Sequence, residues 1–131
     1  MPHTARARKS LAAYLLPSVR TRLNEAVAAG EVVTSVLVLG ELLHGAQCSR
    51  RSANNIRAVE MELSRIRIFP VSETTSRFAH LKTALRREGT KKSDVDLLIA
   101  TTALDVGATL VANDSALLAG DIPGLPVENW T

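Results

Sequence analysis

The sequence predicts an α/β fold organised around a parallel sheet. Three observations lead there. Short β-branched or apolar runs, such as Glu31-Val32-Val33-Thr34-Ser35 and Ala108-Thr109-Leu110-Val111-Ala112, are bounded by turn residues and read as strands. Longer stretches of helical periodicity separate them, so successive strands are joined by crossovers and run parallel. Apolar residues make up 46% of the 131 positions but aromatics only 3%, which suits a core of Leu, Val, Ile and Ala. The length fits one compact domain, residues 1–131.

The elements follow in order. Pro17 opens a helix over residues 18–29 and Gly30 closes it, proline near the start and glycine just past the end. Residues 31–35 form a strand, and 36–46 a helix with Leu39, Leu42 and Leu43 on one face. Residues 54–66 form a charged amphipathic helix. A short strand over 67–71 is ended by Pro70. A helix over 73–88 stops at Gly89, and an apolar helix over 93–106 stops at Gly107. Residues 108–112 form a buried strand and 126–130 a last short one. In open sheets of this kind ligands bind beyond the carboxyl ends of the strands, so chemistry is expected there.

Charge is unevenly distributed. Every Lys and Arg lies at or before Lys92 and every Asp at or after Asp94, leaving six acids and no base in the remainder. Solvated basic helix faces account for part of this. A positive rim beside an acidic centre also suits a cation-dependent enzyme acting on a polyanion. No run reaches the length of a membrane span, and no apolar signal region follows the basic start. The single cysteine, Cys48, cannot make an internal disulfide. The protein is expected in the cytoplasm. No phosphate-binding glycine loop is present. A phosphorylation-receiver domain would need acids after its first strand and a late lysine, and the chain has neither.

Three acids fall near strand ends. Glu41 stands about one and a half turns into the helix after the strand 31–35. Asp96 lies in the first turn of the helix 93–106, and Asp114 follows the strand 108–112. Each also has an ordinary role. Ser93 and Asp96 match a capping box with Asp in place of Glu, and Asn113-Asp114-Ser115 suits a turn or helix cap. Glu41 resists that explanation. Val38, Leu39, Leu42 and Leu43 flank it, and no Lys or Arg lies between Leu23 and Cys48. A buried carboxylate needs a partner from elsewhere in the chain or a cation. Three converging carboxylates repel one another, and a divalent cation resolves that conflict. Asp94, two residues from Asp96, points elsewhere on the helix.

Four segments resemble one known family. Thr34-Ser35-Val36-Leu37-Val38-Leu39-Gly40-Glu41-Leu42-Leu43-His44-Gly45 is similar to the S-x-x-x-x-E-L-x-x-G segment of VapC-type PIN domains. Gly89-Thr90 followed by Asp96-Leu97-Leu98-Ile99-Ala100 resembles their G-x-x-x-x-x-N-D-L-L-I-A helix start. Gly107-Ala108-Thr109-Leu110-Val111-Ala112-Asn113-Asp114 looks like their G-A-T-L-V-T-N strand, and Pro123-Gly124-Leu125-Pro126-Val127-Glu128-Asn129-Trp130 like their P-G-L-x-x-E-N-W ending. The resemblance runs from about Pro17 to Thr131. It implies a PIN-like three-layer α/β/α fold, a short central parallel sheet flanked by helices. It implies an Mg²⁺- or Mn²⁺-dependent endoribonuclease toxin, a homodimer acting on RNA and inhibited by a VapB-type antitoxin. Carried over, Glu41, Asp96 and Asp114 are the second, third and fourth acids of the family's catalytic metal site, with Asn113 and Ser115 as polar neighbours and Asp94 nearby.

The departure is at the start, residues 1–16. The family opens with an apolar strand ending in D-T-N, whose Asp is a principal metal ligand. This chain opens Met1-Pro2-His3-Thr4-Ala5-Arg6, with no acid before Glu25. His3 stands where that Asp belongs, either as an exposed terminal residue or as a nitrogen ligand suited to Zn²⁺ or Mn²⁺. Pro2 and the run Arg6-Ala7-Arg8-Lys9 suit a central strand poorly, so the first strand is expected to be short, shifted or absent. Weak metal binding and weak or absent cleavage follow; the alternative is a non-catalytic PIN-domain protein that binds RNA or an antitoxin. His44 and His80 are expected as surface or core-edge residues, Cys48 as a loop cysteine, and Trp130 as the residue packing the chain end against the body.

Overall fold

The computed structural model describes residues 4–6, 17–71, 74–113 and 115–130. The chain order is β1 (Thr4–Arg6), α1 (Pro17–Ala28), β2 (Val32–Ser35), α2 (Val36–Gln47), α3 (Ser52–Leu63), β3 (Arg67–Phe69), α4 (Thr75–Arg87), α5 (Asp94–Asp105), β4 (Thr109–Val111), α6 (Ser115–Leu118) and β5 (Val127–Glu128). The strands make one sheet in the order β3-β2-β1-β4-β5, and every pairing is parallel. From β1 the chain winds outward through β2 to β3, then returns to the other side of β1 through β4 to β5. Right-handed crossovers therefore send the two sets of helices to opposite faces. The α/β architecture expected from the sequence is the one found.

Apolar spacing explains the helices. α2 buries Val38, Leu42 and Ala46, a stripe at every fourth residue. Leu39 and Leu43 flank it, partly buried against the core, so the expected face of Leu39, Leu42 and Leu43 does turn inward, with Leu42 the most deeply buried of the three. α3 buries Val59 and Leu63, and α4 Leu81 and Leu85, at the same spacing. α5 is inward-facing nearly all round: Leu97, Ile99, Ala100 and Ala103 are almost fully buried. Each large apolar side chain so buried contributes about 1.5–3 kcal/mol. Thr101 and Thr102 are buried too, and both hydroxyls donate back to the Leu98 carbonyl, at 3.0 and 2.8 Å, which satisfies them inside the core.

Gly107 ends α5 at φ 66°. The Ala108 amide donates to the Ala103 carbonyl at 2.9 Å, the closure of a Schellman turn. The turn sends β4 back antiparallel to α5, so the amino end of α5 lies at the carboxyl edge of the sheet.

β1 is present and central, pairing with both β2 and β4; at three residues it is short, one of the outcomes expected, and its last residue, Arg6, is the first of the basic run. α6 was not expected, since four residues carry too little periodicity to read. Element ends elsewhere shift by one to three residues. Ile66 leaves α3 and is buried beyond it. Trp130 packs against the core and lies under the Arg22 guanidinium of α1, 4.6 Å from the ring centre. Among the described residues, no helix is long and apolar enough to cross a membrane.

Candidate metal-dependent active site

β2 delivers the first acid. The strand is buried along its whole length and ends in Ser35, whose hydroxyl accepts from the Leu37 amide at 3.0 Å. This cap turns strand directly into helix with no intervening loop. Glu41 follows, half-buried. It lines a pocket of about 270 Å³ together with Leu37, Gly40, His44 and Val95.

α5 delivers the second. Ser93 caps the helix, its hydroxyl accepting from the Asp96 amide at 3.1 Å, the first half of the capping box. Asp96 is 4% exposed. A carboxylate buried in the first helical turn is favoured by the helix dipole. Asp94 turns outward and pairs with Lys82 of α4 at 2.8 Å, its side chain 60% exposed. Val95, between the two aspartates, shares the pocket with Glu41. The pocket thus joins α2 to the helical turn that carries Asp96.

β4 leads to the remaining candidates. Asn113 is exposed two residues past the strand, and Ser115, also exposed, begins α6. Asp114 and His3 lie outside the described residues. The register sets Arg6 level with Thr34 and Val111, so the carboxyl end of the central strand is held by a basic residue. Among the described residues, no group of three or more His, Cys, Asp or Glu side chains is arranged to hold a metal ion. Glu41 and Asp96 offer carboxylate oxygens, the donor chemistry that Mg²⁺ and Mn²⁺ take, usually as one or two carboxylates completed by water and phosphate. The donor set fits such an ion.

Two features were missed by the sequence reading. His44, exposed on α2, brings both ring nitrogens to 3.8–3.9 Å from Cys48 Sγ; the four-residue spacing was the available signal. Lys92 has a side chain only 3% exposed, with Nζ 2.9 Å from Asp121. Nothing in the polar run Thr90-Lys91-Lys92-Ser93 marks one lysine for burial.

Residues 9–121 match the family described as PIN domain. A Rickettsia felis protein named Ribonuclease VapC2 is 35% identical over 100 residues, 76% of this chain and 74% of that protein. The crystal structure of VapBC2 from Rickettsia felis bound to a promoter DNA fragment superposes with a TM-score of 0.82 at 28% identity, covering 98% of both chains. DNA-bound VapBC from Salmonella typhimurium gives 0.85 at 24% identity over 100% of both, a likeness of fold. On the family match over residues 9–121 and these relatives, the chain belongs to the PIN-domain family, in its VapC-type branch.

Proposed function

We propose that the chain is a metal-dependent endoribonuclease toxin acting as a single domain, with Glu41, Asp96 and Asp114 as its catalytic, metal-binding acids. The observation that carries this reading is the shared pocket between Glu41 and the first turn of α5, at the sheet edge where such folds bind ligands. Burial of Asp96 supports it. A structural cap gains nothing from desolvating its carboxylate, whereas a ligand to a hard cation does. Mg²⁺ or Mn²⁺, when bound, would supply an activated water and stabilise the leaving oxygen of an RNA phosphodiester. Among the described residues, Glu41 and Asp96 are the carboxylates that would hold the cation. Asn113 and Ser115 add polar groups beside Asp114, and Asp94 stays at the periphery through its pair with Lys82.

The VapBC neighbours support an antitoxin of VapB type as the partner, and the same reading carries a homodimer and a cytoplasmic setting. Activity is expected to be weak, because no acid precedes Glu25 and β1 ends in Arg6. That same observation favours a second reading, in which the chain binds RNA or antitoxin without turnover. Purified protein incubated with RNA and Mn²⁺ separates the two. Cleavage that chelation and Asp96→Asn both abolish establishes the enzyme; RNA binding with intact RNA establishes the binder; metal-independent cleavage refutes both.

A further inference from the structure

Lys92 is the last cation in the sequence, and its position in the fold has no explanation in surface charge. Its side chain is 3% exposed, although lysines almost never bury completely unless paired. It precedes Asp96 by four residues, on the approach to α5. Its ammonium reaches across to the segment that begins with α6. It pairs with Asp121 at 2.9 Å and donates to the carbonyl of Ala116 in α6. Apolar burial of Leu117 and Ile122 anchors that segment to the core, but apolar contact is non-directional. A buried, charge-assisted tie to one carbonyl fixes orientation.

We propose that Lys92 is a positioning residue. It fastens α6 to the amino end of α5 and so sets the spacing between Asp96 and the polar residues Asn113 and Ser115 at the start of α6. The inference rests on the metal-site reading above. Its described contacts are Asp121 and the Ala116 carbonyl, so it acts through the segment it holds. The other ion pair at this helix end, Lys82–Asp94, joins α5 to α4 and does not reach α6.

The test uses the full chain. Lys92→Met keeps the apolar stem and removes the charge; Asp121→Ala breaks the same pair from its exposed end and serves if Lys92→Met does not fold. Hydrogen exchange at the Ser115–Leu118 amides is expected to accelerate at least about tenfold in either variant, with the α3 and α4 amides unchanged. Mn²⁺ binding, measured by titration without RNA, is expected to weaken about fivefold or more. Lys82→Ala is expected to change neither quantity. Unchanged exchange in a folded variant overturns the proposal. Accelerated exchange with unaltered Mn²⁺ affinity reduces Lys92 to a structural tie and overturns the positioning role. A wild-type chain that binds no Mn²⁺ overturns the metal-site reading instead, and the exchange measurement still decides whether Lys92 fastens α6.

Discussion

The amino end of α5 and the carboxyl end of β1 both face the same edge of the sheet, yet they are built to different standards. At α5, several features serve an acid. Ser93 caps the helix, Asp96 is buried in its first turn, Lys82 draws Asp94 aside, and Lys92 ties the turn to α6. At β1 the backbone is in order, paired on both sides, but the strand ends in Arg6 and no acid comes before Glu25. A central strand requires only backbone donors and acceptors, which every residue except proline supplies in full. A cation site requires particular side chains at particular positions. Backbone pairing at β1 therefore tolerates side-chain changes that a cation site would not.

The comparison can be broken first at α5. Asp96→Asn is expected to lower kcat for Mn²⁺-supported RNA cleavage by at least about a hundredfold, with a circular dichroism spectrum like that of the wild type. Glu41→Gln, at the partly exposed acid proposed as a ligand, is expected to cost about tenfold in the same assay. Equal activity in Asp96→Asn and wild type would remove α5 from the chemistry. At β1 the prediction concerns stability instead: Ala5→Pro removes a ladder donor from the centre of the sheet and is expected to cost about 2 kcal/mol or more in urea unfolding. A smaller loss would mean that β1 contributes little to the sheet.

The contrast sharpens with two added acids. The family resemblance assigns the first-acid position to His3, whereas the strand register sets Arg6 at the carboxyl end of β1. Arg6→Asp is expected to tighten Mn²⁺ binding roughly tenfold, since it replaces a positive with a negative charge at the carboxyl end of β1. His3→Asp is expected to have a smaller effect; the reverse order, read by calorimetric titration, would place the corner upstream of the strand. The smallest effect belongs to Asp94→Asn. Its pair with Lys82 is largely solvent-exposed, so stability should fall by no more than about 1 kcal/mol and cleavage should stay within about twofold.

The legible parts of the molecule are those with local causes. Gly107 stops α5 where the sequence says it should, because a left-handed turn needs a residue without a side chain. Ser93 caps the same helix through a contact three residues long. Glu41 stood out as a carboxylate inside an apolar run and is half-buried at a pocket. β1 was harder to read, because Pro2 and the basic run from Arg6 argue against a strand while the pairing that makes it central comes from β2 and β4, residues 32–35 and 109–111. The four-residue α6 gave no periodic signal at all.

The sequence by itself determined, to within a few residues, where the longer helices begin and stop, which of their apolar residues turn inward, and which acids are candidates. These depend on spacings of a few residues and on the steric limits of single residues. Only the tertiary structure decided that Val95 of α5 faces Glu41 of α2 across one pocket, that Arg6 closes the central strand, and that Lys92 rather than Lys91 is withdrawn from solvent. Those outcomes depend on how far-apart segments meet. Contacts between them gain free energy only once the sheet and its crossovers have brought the segments together, and neighbouring residues in the chain carry no record of them.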